Sequence, residues 1–297
     1  MRADPAGARD RDLRVAPSPA LRTPVAYRML WHRVEVTSED PAVLDLVDRM
    51  SPAAEQGELA PEQLLGLDVI REGSGFVVRS GPHRVGTAAD ARQAAEQVVG
   101  WVHRTAFEEA AGRGWARLHG VVAERSGRRL VAVGPSGVGK TTLALALLAA
   151  GWEVQGDESF VTAAGRCLAV PRRFQVKPGT AAAVPEAAEW IARGDRLDHL
   201  PGIRITDPIV SGRPWRSTMG SIDHLVALVR TDGPSAVSPS STPQMLAALR
   251  SELFVTVDRP PALARALTDI VCAATLHRAE VGPDGRLAER LGTLVSG

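Results

Sequence analysis

Residues 129–160, RLVAVGPSGVGKTTLALALLAAGWEVQGDESF, decide the fold expected for this chain. An apolar run leads into a glycine-rich segment, a run of Ala and Leu follows, and a second short apolar run ends at Asp157 and Glu158. This order predicts a strand, a loop, a helix and a second strand. Ligands of α/β sheets bind beyond the carboxyl ends of the strands, so the two acids are expected at a ligand site.

The segment GPSGVGKT fits the pattern G-x-x-x-x-G-K-S/T, the Walker A or P-loop pattern. Its glycines let successive backbone N–H groups turn towards a phosphate, and the following helix directs its positive end at the same anion. We therefore predict that the protein binds ATP with Mg²⁺, although the pattern alone does not distinguish ATP from another nucleoside triphosphate. The predicted nucleotide-binding residues are Gly134, Pro135, Ser136, Gly137, Val138, Gly139, Lys140, Thr141 and Thr142.

Four side chains around this loop are expected to carry the metal and the chemistry. The Lys140 ammonium suits the β- and γ-phosphates, and the Thr141 hydroxyl suits Mg²⁺. Asp157 and Glu158 can ligate the same metal, or one of them can accept the proton of an attacking hydroxyl. The alternative, in which one or both acids are only turn or cap residues, stays open at this point.

The longer segment LHGVVAERSGRRLVAVGPSGVGKTTLALALLAAGWEVQGDESF, residues 118–160, resembles the core of the HPr kinase/phosphorylase family and of HPr-kinase-related proteins. The resemblance implies an α/β fold with a P-loop kinase domain of the HPr kinase/PEP carboxykinase-like type. It also implies that Asp157 is the general base for the acceptor hydroxyl and that His119 is an active-site histidine. The family's paired aspartates are Asp157 and Glu158 here, and the family's later signature segment has no good match. HPr itself and reverse phosphorolysis are therefore not expected.

The predicted function is transfer of the γ-phosphoryl group of ATP to a hydroxyl of a peptide, a protein or a metabolite. One alternative is a small-molecule kinase of the shikimate- or gluconate-kinase kind, which also places an acid one strand after the loop. Another is a regulatory P-loop ATPase without a phosphoacceptor, with Asp232 as its metal-binding acid. A structural role without nucleotide is the remaining alternative.

Candidate substrate residues come from the usage of basic residues. The chain has 33 arginines and two lysines, Lys140 and Lys177, so a retained lysine can mark a site where a planar guanidinium will not serve. We predict that Lys177, with Arg172 or Arg173, reaches the γ-phosphate or the acceptor. Arg213 and Arg216 flank a tryptophan in SGRPWRST and are predicted to clamp phosphates or acceptor. The alternative for each is an ordinary surface residue.

Composition excludes several classes of partner and mechanism. A formal net charge of +1 gives no electrostatic argument for nucleic acid or for an anionic membrane. The chain lacks asparagine, which removes the guanine-reading N-K-x-D motif and the metal-binding Asn of eukaryotic-type protein kinases. Two cysteines without metal spacing, no signal-peptide pattern and no long apolar run favour a cytoplasmic protein. Homo-oligomerisation stays open.

The chain is expected to have a disordered tail (1–24), a small N-terminal α/β domain (25–114) and a catalytic domain (115–297). The N-terminal domain should hold a strand at 28–36, a helix from Asp40 to Met50, three short strands, and a helix that opens on a Thr87–Asp90 capping box. The elements expected later are strands at 116–124, 128–134, 224–230 and 276–282, and helices at 185–193, 243–251, 261–274 and 284–294.

Overall fold

The computed structural model describes residues 24–51, 55–56, 63–196, 201–254 and 260–296, so nearly all of the predicted tail lies outside it. In the described residues the chain is a mixed α/β protein. The strands are β1 (Val25–Met29), β2 (His32–Ser38), β3 (Glu55–Gln56), β4 (Gln63–Glu72), β5 (Gly75–Ser80), β6 (His83–Ala88), β7 (Ala116–Leu118), β8 (Gly120–Arg125), β9 (Arg128–Val133), β10 (Glu153–Gly156), β11 (Ser159–Ala163), β12 (Arg166–Val170), β13 (Phe174–Val176), β14 (Asp195–Arg196), β15 (Arg204–Thr206), β16 (Arg216–Ser217), β17 (Gly220–Ser221), β18 (His224–Arg230), β19 (Ala236–Pro239), β20 (Leu253–Phe254) and β21 (Thr275–Val281). The helices are α1 (Pro41–Met50), α2 (Ala91–Gly112), α3 (Lys140–Ala149), α4 (Thr180–Ala183), α5 (Ala188–Arg193), α6 (Thr242–Ser251), α7 (Pro260–Ala273) and α8 (Leu287–Ser296), with 3₁₀ helices at Pro185–Ala187 and Pro208–Ser211.

The six-stranded sheet that carries the glycine-rich loop has the order β10-β8-β9-β18-β21-β19. Strands β9, β18 and β21 run parallel, whereas β8 and β10 form an antiparallel pair on one side. Alternate residues of β9 face opposite ways: Leu130 packs with α3 and α8, and Val131 packs with α6 and α7. The sheet is thus buried between two layers of helices, which holds the end of β9 rigid where the loop begins.

The segment 116–124, predicted as one strand, is two strands that belong to different sheets. Strand β7 lies in a five-stranded sheet of order β17-β12-β11-β7-β20, and β8 lies in the six-stranded sheet. The chain changes sheet at His119. A Cβ on Gly120 would lie 2.7 Å from the Ala132 carbonyl oxygen and 2.9 Å from the Phe160 ring, so only glycine lets the backbones approach this closely.

Substitution of Gly120 by Ala is expected to destabilise the protein by about 1–3 kcal/mol, because the added methyl must displace backbone and ring atoms. The matched control is Gly66→Ala in β4, where a Cβ meets nothing within 4 Å and the change should be nearly neutral. Urea unfolding of both variants measures the difference. Equal stabilities of the two variants would contradict the close approach as the reason for Gly120.

The N-terminal sheet has the order β1-β2-β4-β5-β6, with α1 and α2 packed against it. The strand predicted at 28–36 is instead the hairpin of β1 and β2. Its turn passes through Leu30, which has a φ of 53° although it is not glycine. Leu30 and Trp31 are both buried, so their packing compensates for the cost of this conformation. Alternation of apolar residues continues through the turn, and the sequence pattern therefore missed it.

Helix α1 begins as predicted, with Asp40 as its N-cap and Pro41 at its first position. The cap of α2 differs from the prediction. Asp90 is the N-cap and accepts a hydrogen bond of 2.8 Å from the Gln93 backbone N–H. Thr87 cannot serve as the cap because it pairs with Val77 in the β5–β6 ladder. Pairing within the sheet therefore overrides the local capping pattern.

The predicted N-terminal domain shares a hydrophobic cluster with the rest of the chain. Side chains of α1, α2 and the N-terminal sheet pack together with Val161 of β11 and with Leu168 and Val170 of β12. The five-stranded sheet of order β17-β12-β11-β7-β20 therefore lies between this cluster and the cluster that contains α6 and α7. The division of the chain at 114/115 stays a prediction.

Strand β18 has the predicted bounds, and β21, α6, α7 and α8 lie within a few residues of theirs. The helix predicted at 185–193 is a 3₁₀ turn followed by α5, with Pro185 opening the turn. Pro208 opens a second 3₁₀ helix after β15. None of the described helices combines the length and the apolar character that crossing a membrane would require.

Candidate active site

The glycine-rich loop joins the carboxyl end of β9 to the amino end of α3. Gly137 and Gly139 have φ angles of 83° and 109°, in the left-handed region that favours glycine, and Gly139 is the N-cap of α3. Helix α3 starts at Lys140, so its unpaired backbone N–H groups point into the loop. This geometry can hold an anion, as the sequence pattern predicts.

Lys140 is buried, and oxygens surround its ammonium. The Nζ atom donates hydrogen bonds to the carbonyl oxygens of Gly134 and Pro135, the second at 3.2 Å. It also lies 3.7 Å from Oε2 of Glu252. Burial lowers the pKa of Lys140, and the charges of Glu252 and Glu158 oppose that decrease. The group can supply a positive charge in a site where solvent screening is weak.

Thr141 and Asp157 are in direct contact: the Thr141 hydroxyl donates a 2.7 Å hydrogen bond to Oδ2 of Asp157. Asp157 follows β10 directly and is buried. Burial raises the pKa of Asp157 to about 6, although the hydrogen bond from Thr141 lowers it. A carboxylate with this pKa is ionised at neutral pH but basic enough to accept a proton from a reacting group.

The donor set at this contact fits Mg²⁺, which prefers hydroxyl and carboxylate oxygens and usually completes its shell with water and substrate phosphates. Among the described residues no group of three or more His, Cys, Asp or Glu side chains could hold a metal ion. A magnesium ion at Thr141 and Asp157 would therefore depend on phosphate oxygens for the rest of its ligands.

The Glu158 carboxylate lies beside a guanidinium and an imidazole. It lies 3.1 Å from Nη1 of Arg172 and 3.8 Å from Nε2 of His119. Burial lowers the pKa of His119, as does the neighbouring Lys140, while Glu158 and Glu252 raise it. The predicted metal role of Glu158 stays a prediction, because the pairing that the structure gives it is with Arg172 and His119.

A cavity of about 570 Å³ connects these groups. It has the size of a small-molecule or cofactor site. One part is polar and contains the glycine-rich loop, and another is walled by apolar residues of α3 and α8, such as Leu143, Ala146 and Leu287. The predicted residues that line it are His119, Ser136, Gly137, Gly139, Lys140, Thr141, Thr142, Asp157, Glu158, Arg172 and Lys177. Gly134, Pro135 and Val138 support the loop from behind.

Lys177, the second lysine of the chain, lines this cavity together with Lys140. Its position is compatible with the predicted contact to the γ-phosphate or the acceptor. Lys177→Arg is expected to lower turnover about tenfold, because a guanidinium is wider than an ammonium and differs in hydrogen-bond geometry. Steady-state turnover of this variant and of Arg193→Lys, a change of exposed basic residue on α5, measures the effect. Unchanged turnover in Lys177→Arg would remove the prediction.

Three other predicted substrate residues lie away from the cavity wall. Arg173 pairs with Asp195 at 2.7 Å and with Asp207 at 3.3 Å. Arg213 donates a 2.6 Å hydrogen bond to the Gly151 carbonyl oxygen, and it lines a separate small cleft with Arg216 beside Trp152. These positions do not support the predicted clamp by Arg213 and Arg216 or the predicted contact of Arg173 with the γ-phosphate or the acceptor. Their acidic and carbonyl partners come from distant segments, which the sequence pattern does not reveal.

Sequence reasoning missed Glu252, which contacts both Lys140 and His119. It follows α6 directly and has no motif around it, so no local signal points to it. Asp232, the metal-binding acid of the ATPase alternative, does not line the cavity. Asp157 occupies the place beside Thr141 that such an acid would need.

No protein-family model matches the sequence, and no curated protein matches it. Among solved structures, the chain is similar to the HPr(Ser) kinase/phosphatase from Coxiella burnetii, with 11% identity and a TM-score of 0.32. The similarity covers 61% of this chain and 99% of that chain. A TM-score this low does not establish a shared fold, so the function has to be inferred from the site itself.

Proposed function

We propose that the protein is an ATP-dependent kinase that transfers the γ-phosphoryl group to an alcohol, either a serine of a peptide or protein or a hydroxyl of a metabolite. The observation that carries the proposal is the 2.7 Å contact between Thr141 and Asp157 inside the loop-lined cavity. It places a carboxylate that can act on an acceptor beside the glycine-rich loop that is proposed to bind phosphate. A P-loop kinase fold of the HPr kinase-like type is part of the proposal.

The phosphates are expected to lie against the backbone N–H groups of the loop and the start of α3, with Lys140 as the neutralising cation. Thr141 and Asp157 would hold Mg²⁺, which neutralises negative charge on the phosphate oxygens when it is bound. The apolar walls beside Leu143 and Leu287 are suited to the nucleobase. These roles together account for both parts of the cavity.

Asp157 is the proposed general base. The acceptor oxygen forms a bond to the γ-phosphorus while the bond from that phosphorus to the bridging oxygen breaks, and ADP leaves. The proton of the acceptor hydroxyl passes to the Asp157 carboxylate, which lines the cavity beside the loop. His119 is proposed to lie beside the transferring group, with Arg172 and Glu158 forming the wall next to it.

The test is incubation of the purified protein with Mg²⁺ and γ-labelled ATP, followed by mass spectrometry. The candidate acceptors are peptides encoded beside its gene and metabolites made by enzymes encoded there. The expected product carries one phosphate on a hydroxyl. The product that carries the phosphate, a peptide or a metabolite, identifies the class of acceptor. Release of inorganic phosphate at full rate without any acceptor would favour the ATPase alternative instead.

A further inference from the structure

The carboxylate of Glu252 lies behind the cavity wall and contacts two groups of the proposed site. Its Oε2 atom is 3.6 Å from Nδ1 of His119 and 3.7 Å from Nζ of Lys140. The side chain is 7% exposed and does not line the cavity. A buried carboxylate needs a partner of opposite charge, and Lys140 is the charged group within reach of it in every protonation state of the histidine.

The backbone fixes Glu252 relative to His119. The His119 backbone N–H donates a 3.0 Å hydrogen bond to the Glu252 carbonyl oxygen. The next residue, Leu253, pairs with Leu118 in the ladder between β20 and β7. These contacts hold the backbone of Glu252 beside His119.

The Lys140 ammonium donates hydrogen bonds to two carbonyl oxygens and pairs with a carboxylate oxygen 3.7 Å away. These are the carbonyl oxygens of Gly134 and Pro135 and the Glu252 carboxylate. A phosphate that binds in the loop competes with these oxygens for the ammonium. Of the three, Glu252 is the charged competitor.

Building on the kinase proposed above, we propose that Glu252 is an internal counter-ion of Lys140 that competes with the nucleotide's phosphates for the ammonium. It acts on the nucleotide through Lys140 and is thus a positioning residue. It stabilises the buried ammonium before the nucleotide binds, and it lowers the affinity for the triphosphate. When the Lys140 ammonium contacts the phosphates instead, the Glu252 carboxylate keeps its contact with His119.

The test is the affinity for a non-hydrolysable ATP analogue with Mg²⁺, measured by calorimetry on the full chain. Glu252→Gln keeps the shape of the side chain and removes its charge, so the Kd should fall on the order of tenfold. Glu189→Gln, the same change on the exposed face of α5, should leave the Kd unchanged. A general structural role for Glu252 predicts weaker binding, which is the opposite sign.

Two further measurements fix the interpretation. Inorganic triphosphate should show the same gain in affinity, and the gain should disappear in a Lys140→Met background, because Glu252 acts through that ammonium. If Glu252→Gln does not fold, Glu252→Asp, which withdraws the carboxylate, should give a smaller gain of the same sign. An unchanged or higher Kd in a folded variant overturns the role of Glu252. A wild-type protein that binds no nucleotide overturns the kinase instead.

Discussion

Asp157→Asn is expected to lower phosphoryl transfer by about 10²–10⁴-fold and to leave the affinity for Mg²⁺-ATP within about tenfold. The amide oxygen can still accept the hydrogen bond from Thr141, but an amide cannot take the proton of the acceptor hydroxyl. Transfer is measured with labelled ATP and the acceptor, and nucleotide affinity by calorimetry. The two readouts separate a lost base from a lost nucleotide site.

Two outcomes of this experiment would contradict the proposal. Transfer at the wild-type rate in Asp157→Asn would show that Asp157 is not the base. Loss of both nucleotide binding and phosphoryl transfer would mean that the carboxylate serves only to hold the metal and the phosphates. The control is Asp195→Asn, the same change at an exposed carboxylate that pairs with Arg173.

The same variant should also change the pH dependence of stability in the protein without nucleotide. Burial raises the pKa of Asp157 from 3.8 to about 6, so the folded state holds this proton more tightly than the unfolded state. The wild type therefore loses stability as the pH rises from about 4 through 6, whereas the amide of the Asp157→Asn variant does not titrate. At pH 8 the variant should gain about 2 kcal/mol relative to its difference at pH 4, because the unfolded-state carboxyl is already partly ionised at pH 4. Denaturant unfolding at the two pH values measures this change.

Lys140→Met is expected to weaken the binding of Mg²⁺-ATP by about 30-fold or more, since it removes the buried cation that faces the phosphates. It should also destabilise the protein without nucleotide by about 3 kcal/mol. The reason is Glu252, whose buried carboxylate loses its ammonium partner and keeps the contact with His119 and the hydrogen bond from the Ser251 hydroxyl. Calorimetry and urea unfolding measure the two effects.

The double variant Lys140→Met/Glu252→Gln separates these effects. Stability should recover most of its loss, because no buried charge is left without a partner. Binding of nucleotide should stay weak, because the cation for the phosphates is still missing. Recovery of binding in the double variant would contradict the role of Lys140, and an unrecovered stability would contradict its pairing with Glu252.

Local sequence patterns predicted the strands and the helix around the glycine-rich loop. The strand, loop, helix and second strand at 129–160 follow from short-range periodicity and from glycine and proline positions, and they appear as β9, α3 and β10. The secondary-structure predictions were wrong where contacts with a distant part of the chain decide the local structure. The turn at Leu30 depends on burial of Leu30 and Trp31, and the break at His119 depends on the close approach of Gly120 to Ala132.

The candidate site divides in the same way. The sequence pointed to Lys140, Thr141, Asp157, His119 and Lys177, and all of them line the cavity. It also pointed to Arg173 and Arg213, which the structure pairs with Asp195 and with the Gly151 carbonyl. A basic residue in a loop does not reveal its partner, because the partner comes from another segment of the chain.

The sequence by itself determined the glycine-rich loop, because the dihedral angles of a few consecutive residues and one helix terminus create it. Only the tertiary structure decided what surrounds that loop. It brings the Asp157 carboxylate onto the Thr141 hydroxyl and the Glu252 carboxylate onto Lys140. Such contacts depend on how sheets and helices pack, and burial then changes the charge state of the groups, which a linear pattern does not encode.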